Sequence, residues 1–502
     1  MPRFPLLLFL AALAAIVASL WELSQSTRGI AITAIDIDGT PATLFTPQGA
    51  TPENAVVIAH GFAGSQQLMR SFALAFARNG IAAITFDLLG HGRNPAPLTG
   101  NLEAIDGATR RLVAETQQVI AYAREHGAKQ VALLGHSMAS DVVVRTADAT
   151  PGIAATIAVS MFSPAVTATV PRNLLVIVGD WEPGLKAEAL RAVGLATAPQ
   201  PARTGETSGS FADGTARRVV FAPHVEHVSV LFSETALREA VIWASTAFGS
   251  PIQNPAINTR GPWLLVLIAG LVLIVRPLSL LLPVVAQPPA GRALPWRTLL
   301  PAMTVAALGT PLVLRIVPTT FLPVLVADYL VVHFAVFGIL FAAAARLLAG
   351  PLGLQPPTER FVLAATLLSL LTTGLLAPAL DKEALSFLPT GTRWLLIAVL
   401  LSGTLPFFAA VEWLTRGPNA VRWGYALTQV AFILSLALAI AFDFERLFFL
   451  IIIVPVIAIF LVVVSLYSRW SFERTGDPMV AAVANALLFA VAIGVTFPLV
   501  AP

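Results

Sequence analysis

The apolar residues of this chain are distributed in two different ways. Between Gln25 and Ser250 short apolar runs alternate with charged stretches, whereas from Trp263 to Val500 nearly every residue is apolar and charges occur in small clusters. The first pattern is typical of a soluble domain and the second of membrane spans. We therefore predict a soluble domain over residues 25–250 and a transmembrane domain of about eight helices over residues 251–502.

The second region contains eight stretches that are each close to the roughly 20 apolar residues needed to cross a bilayer. They are Trp263–Val285, Thr298–Val317, Phe321–Ala345, Phe361–Leu380, Trp394–Val411, Trp423–Phe442, Leu447–Tyr467 and Met479–Val500. A further apolar segment, Phe4–Trp21, follows Arg3 and belongs to residues 1–24. It is either a cleaved signal peptide or an uncleaved signal anchor, and its length favours the anchor.

The arginines indicate an orientation. With the N-terminus in the cytoplasm, the cytoplasmic loops contain four arginine pairs: 292 and 297, 346 and 360, 416 and 422, and 469 and 474. The segments 381–383 and 443–446 then lie outside. We therefore expect an integral protein of a bacterial cytoplasmic membrane with an extracytoplasmic soluble domain. Four ionisable residues fall inside spans. We expect Arg315 and Glu412 to extend from span ends toward water, and Asp328 and His333 to serve helix packing.

Composition narrows the function. Only 12% of the residues are charged, against roughly 25% in soluble proteins. The net charge of +3 is too small to indicate a nucleic-acid partner. Because the chain has no cysteine, disulfides, thiolate metal sites and cysteine nucleophiles are excluded. Nothing in the sequence indicates an oligomeric state.

The soluble region alternates strand and helix signals between Ile30 and Phe248. Predicted strands are 31–37, 42–45, 55–59, 81–86, 131–134, 155–159, 174–178 and 218–222. Helices are predicted through Arg78 and over Leu102–Glu125, Val142–Ala147 and Thr235–Ala247. Buried strands that alternate with helices indicate an α/β domain with a mostly parallel sheet and helices on both faces. Catalytic side chains should then lie at the carboxyl ends of the strands.

Gly135-His136-Ser137-Met138-Ala139 carries the clearest chemistry, because it lies between a strand and a helix. A sharp turn there would expose the hydroxyl of Ser137 as a nucleophile, and its flanking positions must be small.

Three other motifs also follow strands. The glycines of His60-Gly61-Phe62-Ala63-Gly64-Ser65 suit an oxyanion hole. In Gly179-Asp180-Trp181-Glu182 either carboxylate could orient a histidine, or cap the next helix. In the segment 223–229 either His224 or His227 could act as a general base. A metal site formed with Glu226 would lack the usual helical spacing, so we predict no metal and no cofactor.

Together these motifs resemble the α/β-hydrolase superfamily over Ile30–Phe248. The resemblance implies that Ser137 is the nucleophile, Glu182 the acid and His227 the base, with Asp180 and His224 as the alternatives. It also implies an oxyanion hole formed by the amides of Phe62 and Met138. The segment Phe86–Gly92 looks like a structural loop of that superfamily. Ala139 stands where glycine is common.

Only Met161–Asn173 separates two strands between which many relatives insert a lid. This short connection is similar to that of small esterases, dienelactone-hydrolase-like enzymes and serine peptidase domains. The sequence therefore predicts a membrane-anchored serine hydrolase that acts on a small-molecule or lipid ester, or on a peptide, with membrane lipids as its other partners. The alternatives are a transport or lipid-handling protein with a non-catalytic binding module, and an acyltransferase.

Overall fold

The computed structural model describes residues 3–101 and 105–501, and these form two compact units. The first, here called the α/β unit, comprises Ala18–Val266, Leu380–Ser386 and Thr496–Pro502. The second, here called the helical unit, comprises Met1–Val17, Leu267–Ala379 and Phe387–Val495. Two short segments that are distant in sequence from the soluble region are therefore part of the α/β unit.

A nine-stranded sheet forms the centre of the α/β unit, in the order β1-β2-β4-β3-β5-β6-β7-β9-β8. Strands β3 to β7 and β9 run parallel to their neighbours in this group, while β1, β2 and β8 pair antiparallel at the edges. The strands are β1 Ile30–Ile37, β2 Thr40–Pro47, β3 Asn54–Ala59, β4 Ala82–Phe86, β5 Gln130–His136, β6 Ile153–Val159, β7 Leu174–Gly179, β8 Thr207–Ser208 and β9 Arg217–Ala222.

Helices cover both faces of this sheet. They are α2 Arg70–Arg78, α3 Arg110–Glu125, α4 Met138–Ala149, α5 Pro183–Thr197 and α6 Glu234–Ala247. A further helix, α1 Arg3–Gln25, precedes β1. Side chains of α2 and α6 share one apolar core with Leu175 and Ile177 of β7, whereas Leu174 and Val176 pack with α5 on the other face. Because successive strand residues point to opposite faces, both sets are buried, which explains the unbroken apolar runs in the sequence.

The predicted mostly parallel α/β architecture is confirmed, and each predicted strand is present with small shifts at its ends. Strand β8 was not predicted, because it lies in a stretch rich in glycine, threonine and proline that shows no strand pattern. The predicted helix Leu102–Glu125 is shorter than expected, because Gly107 has non-helical backbone angles and the regular helix α3 starts at Arg110. Residues 102–104 of that prediction lie outside the described part of the chain.

The later helices are mostly long and apolar. They are α7 Gly261–Ser279, α8 Trp296–Val313, α9 Ala327–Ala349, α10 Glu359–Glu383, α11 Arg393–Thr415, α12 Gly424–Phe442, α13 Phe444–Leu447, α14 Leu450–Thr475 and α15 Pro478–Thr496. Within residues 3–101 and 105–501, eight helices are long and apolar enough to cross a membrane, namely α1, α7, α9, α10, α11, α12, α14 and α15. Helix α8, which matches the predicted span Thr298–Val317, falls outside this group and contains Pro301 and Pro311.

Glu412 does not extend toward water as the sequence suggested. Its side chain is fully buried in the helical unit, where it pairs with Arg416 at 2.8 Å and accepts hydrogen bonds from Tyr425, at 2.8 Å, and from Ser468. A buried charge requires such partners. Tyr425 and Ser468 are distant in sequence from Glu412, so its position near a span end did not reveal them.

Candidate active site

Ser137 occupies a sharp turn between β5 and α4. Its backbone has φ 54° and ψ −120°, a conformation that is costly for a residue other than glycine. Its amide donates a hydrogen bond to the carbonyl of Val159 at 2.9 Å, which ties the turn to β6. A Cβ atom on Gly135 would lie 2.3 Å from the carbonyl oxygen of Ala139, so only glycine fits there. Ala139 is itself fully buried, and its methyl group is accommodated in the core.

His227 links the hydroxyl of Ser137 to a carboxylate. Its Nε2 lies 2.8 Å from Ser137 Oγ, and its Nδ1 lies 2.6 Å from Glu182 Oε1. Because a carboxylate only accepts hydrogen bonds, Nδ1 carries the proton and Nε2 is left as the acceptor for the serine hydroxyl. The loops after β5, β7 and β9 thus bring Ser137, Glu182 and His227 into one hydrogen-bonded chain.

Glu182 is fixed at both of its carboxylate oxygens. While Oε1 faces His227, Oε2 accepts hydrogen bonds from the hydroxyl of Ser160 at 2.7 Å and from the amide of Gly179 at 2.8 Å. The residue is buried, at 8% exposure. These bonds fix the carboxylate and satisfy its buried oxygens.

The two alternative residues lie elsewhere. Asp180 is exposed and pairs with Lys186 at 2.6 Å, and the hydrogen bond and positive charge of that lysine lower the pKa of Asp180. His224 follows β9 in a left-handed backbone conformation and contributes to the electrostatic environment of Asp180. The structure therefore brings Glu182 and His227, rather than Asp180 and His224, to Ser137.

Two polar residues that sequence reasoning missed support this chain. Ser160 binds Glu182, and its position directly after β6 was an available signal. His136 places Nε2 2.8 Å from the carbonyl oxygen of His227. Burial, together with the charge of His227, lowers the pKa of His136 to about 3, so its neutral ring donates Nε2–H to that carbonyl. His136 thereby holds the backbone of His227 in place.

The loop 60–65 runs against Ser137. A Cβ atom on Gly61 would lie 2.9 Å from Ser137 Cβ, so only a glycine lets the two backbones approach this closely. His60 braces the loop, because its Nδ1 donates to the carbonyl of Gly61 at 2.8 Å while its Nε2 accepts from the amide of Leu88 at 3.1 Å. Burial lowers the pKa of His60, which keeps its ring neutral and able to make both bonds.

Asp87 joins this loop to the one after β4. Its carboxylate accepts hydrogen bonds from the amide of Gln66 at 2.8 Å and from the side-chain amide of Gln66 at 2.9 Å. A Cβ atom on Gly92 would lie 2.3 Å from the same carboxylate, so Gly92 lets the loop close around it. The segment Phe86–Gly92 thus has a structural role, because its Asp87 holds Gln66, the first residue after the loop 60–65.

Glu115 lies beneath the same loops and is almost fully buried. It accepts hydrogen bonds from Thr40, Asn94 and the amide of Leu89 at 2.8–3.0 Å. Burial raises its pKa from 4.5 to about 7, although these hydrogen bonds act in the opposite direction. Its charge state therefore changes near neutral pH.

The connection at which a lid would be inserted is short. The structure describes every residue of the connection 160–173, and none of them is helical. Two large apolar side chains on neighbouring strand ends are exposed, Phe162 at 66% and Trp181 at 63%. The amide of Phe162 donates to Ser140 Oγ at 3.2 Å, and that hydroxyl in turn donates to the carbonyl of Ser137.

Metal binding has no support in the described residues. Within 3–101 and 105–501, no group of three or more histidine, cysteine, aspartate and glutamate side chains could hold a metal ion. Glu226 instead accepts hydrogen bonds from the amides of Val228 and Ser229 at 2.9 and 2.8 Å.

Part of the α/β unit is similar to a known protein family. Residues 50–194 match the sequence model of a family described as serine aminopeptidase, S33, a range that includes Ser137 and Glu182. No curated protein matches the chain. The α/β unit has the α/β-hydrolase fold, and the family match supports a serine hydrolase-type function.

Among solved structures, a dienelactone hydrolase from Anabaena variabilis is 20% identical, with a TM-score of 0.32, over 45% of this chain and 100% of its own. A proline iminopeptidase-related protein from Thermus thermophilus is 14% identical, with a TM-score of 0.32, over 43% of this chain and 98% of its own. A bacterial membrane phospholipase A is 13% identical, with a TM-score of 0.31, over 48% of this chain and 93% of its own.

The close approach at Gly135 predicts a specific cost. In Gly135→Ala the new methyl group would overlap the carbonyl of Ala139, so we expect a loss of about 3 kcal/mol and a Tm lower by about 6–12 °C. Tryptophan fluorescence of the solubilised full chain measures this. Gly184→Ala is the matched control, because its Cβ meets nothing within 4 Å, and its Tm should hardly change. Equal melting of the two variants would contradict the steric argument.

The raised pKa of Glu115 predicts a pH trend in stability. Between about pH 4.5 and 7 the folded chain keeps the proton of Glu115 while the unfolded chain has lost it, so this residue's contribution falls as pH rises through that window. Glu115→Gln cannot ionise. We expect the Tm of the wild type, relative to that of Glu115→Gln, to fall by about 3–8 °C from pH 5 to pH 8. A constant difference would show that burial does not shift this group.

Proposed function

We propose that this protein is a membrane-anchored serine hydrolase that cleaves ester-like bonds through an acyl-enzyme on Ser137. The observation that carries the proposal is the hydrogen-bonded chain from Ser137 Oγ through His227 to Glu182, with heavy-atom distances of 2.8 and 2.6 Å. These distances lie within the range required of a nucleophile and its base before substrate binds.

Acylation begins when Ser137 Oγ attacks the carbonyl carbon of the substrate while His227 Nε2 takes the hydroxyl proton. The imidazolium that forms is stabilised by Glu182, whose Oε1 already faces the Nδ1 proton. His227 then gives the proton to the leaving alkoxide as the carbon–oxygen bond breaks. Because Ser160 and Gly179 hold the other oxygen of Glu182, the carboxylate needs no reorganisation during these steps.

The negative charge of the tetrahedral intermediate falls on the former carbonyl oxygen. Under this proposal the backbone amides of Phe62 and Met138 donate to that oxygen. The contact between Gly61 and Ser137 supports this role, since it brings the loop 60–65 beside the nucleophile. Met138 is the first residue of α4, so its amide has no partner within the helix and also benefits from the helix dipole.

Deacylation uses the same groups in reverse. A water molecule loses a proton to His227 Nε2 and attacks the acyl carbon, the second tetrahedral intermediate forms, and the proton passes to Ser137 Oγ as the acid is released. The exposed side chains of Phe162 and Trp181 favour esters with an apolar acyl or alcohol group, because binding would remove this apolar surface from water.

We infer the membrane topology from the three chain segments that make up the α/β unit. Its three segments, Ala18–Val266, Leu380–Ser386 and Thr496–Pro502, must lie on one side of the membrane. An even number of crossings must separate two segments on the same side. The last two segments are separated by four apolar helices, α11, α12, α14 and α15. Of the eight long apolar helices, three separate the first two segments, namely α7, α9 and α10. Under this proposal α8, which lies between α7 and α9, crosses as well and makes the number even. Its 18 residues span about 27 Å, close to the hydrocarbon thickness.

The arginine pairs then lie on the opposite side from the α/β unit, which is the cytoplasmic side by the excess of positive charge. We therefore propose that the catalytic domain is extracytoplasmic and that α1 serves as its signal anchor.

The catalytic proposal predicts a graded loss of activity. Ser137→Ala should abolish fluorophosphonate labelling and reduce p-nitrophenyl butyrate turnover to background. Glu182→Gln should lower kcat by about 10³–10⁴-fold, because His227 loses its orienting carboxylate. The controls Asp180→Asn and His224→Gln should stay within about twofold of wild type, since the structure places both residues away from Ser137. Undiminished labelling of Ser137→Ala would refute the nucleophile.

The topology proposal predicts that residues before and after α8 are accessible from opposite sides of the membrane. Because the chain has no native cysteine, single substitutions report one site each. A membrane-impermeant maleimide applied to intact cells should label Glu53→Cys and Thr320→Cys. It should label Gln287→Cys only after permeabilisation. All three positions are exposed. Labelling of Gln287 and Thr320 on the same side would show that α8 does not cross.

A further inference from the structure

Two segments that follow membrane helices complete the α/β unit. The segment Leu380–Ser386 lies at the end of α10, and the C-terminal segment, residues 496–501, follows α15. Both attach to the loops that flank the proposed oxyanion hole, although neither belongs to the contiguous soluble region.

The segment Leu380–Ser386 is anchored by buried polar contacts. The amide of Ser386 donates to Ser65 Oγ at 2.8 Å, and both residues are buried. Glu383 pairs with Arg260 at 2.5 Å, with side-chain exposures of 6% and 1%. Removal of one partner of such a buried pair strongly destabilises the folded protein, because the other charge is left uncompensated. The segment is therefore firmly held. Asp381 also forms an ion pair with Arg93, on the loop after β4.

The position of Ser65 gives this anchor its importance. Ser65 is the last residue of the loop 60–65, and the next residue, Gln66, is bound twice by Asp87. One end of the loop is therefore fixed by Ser386 and Asp87, while His60 fixes the other end.

The C-terminal segment binds the second flanking loop. The amide of Leu98 donates to the carbonyl of Leu499 at 2.8 Å, and the amide of Leu499 donates to the carbonyl of Gly90 at 2.8 Å. A Cβ atom on Gly90 would lie 2.3 Å from the Leu499 oxygen, so glycine is required for this approach. These backbone bonds hold the C-terminal segment, in which Phe497 lies two residues before Leu499, within the same unit.

Phe497 contacts the residue proposed to form the oxyanion hole. Its buried ring meets the ring of Phe62 edge to face, with centroids 6.3 Å apart, and Phe62 meets His91 in the same manner at 6.1 Å. Phe62 is thus held between the C-terminal segment and the loop after β4. Because the φ and ψ angles of a residue orient its amide, restraint of this side chain also restrains the amide.

We propose that Phe497 and Ser386 are positioning residues for the oxyanion hole, so that the chain beyond the soluble region takes part in catalysis as well as in anchoring. Phe497 acts on Phe62 directly, and Ser386 acts through Ser65. This inference rests on the proposed serine hydrolase function. Interactions that act on the tetrahedral intermediate change kcat, whereas substrate binding in the ground state is left nearly unchanged.

The test compares full-length Phe497→Ala and Phe248→Ala in detergent. Phe248 is buried in the core on one face of the sheet, so both changes remove a buried ring and lower Tm. We expect Phe497→Ala to lower kcat for p-nitrophenyl butyrate by about 10–100-fold with KM within about twofold, since displacement of the amide weakens one oxyanion donor. Phe497→Tyr should restore most of kcat. Phe248→Ala should retain the wild-type kcat.

A trifluoromethyl ketone supplies an independent readout, because its adduct with serine carries the oxyanion. Its Ki should rise in Phe497→Ala by about the factor by which kcat/KM falls, and Phe248→Ala should leave Ki unchanged. If Phe497→Ala fails to fold, the Ser65→Ala variant tests the positioning role instead. It removes only the acceptor for Ser386, and we expect kcat about 3–10-fold lower with Ser65→Thr close to wild type.

The outcomes separate this inference from the function on which it rests. A wild-type chain without Ser137-dependent turnover overturns both. A wild-type chain with such turnover, together with Phe497→Ala and Ser65→Ala variants that keep kcat and Ki within twofold, overturns the positioning role alone. An equal loss of kcat in Phe248→Ala would also overturn it, because the effect would then reflect general destabilisation.

Discussion

Backbone segments meet at van der Waals distance around Ser137, and this crowding governs the α/β unit. Gly135 lets β5 and α4 approach each other, and Gly61 lets the loop 60–65 approach the serine. Ser137 itself has a positive φ, a conformation that persists only when the surrounding packing enforces it. The parallel sheet provides that enforcement, since β5 lies between β3 and β6 and is buried on both faces. The reactivity proposed for the hydroxyl thus begins with steric constraint.

Hydrogen bonds and burial give the histidine rings around this turn defined protonation states. Neutral His60 and His136 each donate one ring N–H to a backbone carbonyl, and burial keeps them uncharged. Their rings therefore act as rigid braces, and only His227 faces both a carboxylate and the serine. The site contains several histidines and acids, yet only His227 and Glu182 among them form the hydrogen-bonded chain that ends at Ser137.

Periodicity and motif order predicted the sheet apart from the short edge strand β8, because strands buried on both faces leave long apolar runs that end in loops. The sequence also placed Ser137, Glu182 and His227 on such loops, although it left Asp180 and His224 open as alternatives. The choice depends on side-chain direction, which spacing does not encode. Ser160 and His136 were missed because a serine or histidine beside a strand end is common. The partners of Glu412 were missed because they come from other helices.

The attachment of Ser386 to Ser65 joins residues 321 positions apart, and Leu499 binds Gly90 and Leu98 on the loop after β4. Local sequence contains no signal for such contacts. They have a consequence for biogenesis. A ribosome makes the loop 60–65 early, but the residues that brace it emerge only after the helices between them have been synthesised. On the proposed function, the loop 60–65 therefore reaches its braced form only after those helices have been made, so the order of synthesis itself delays full activity.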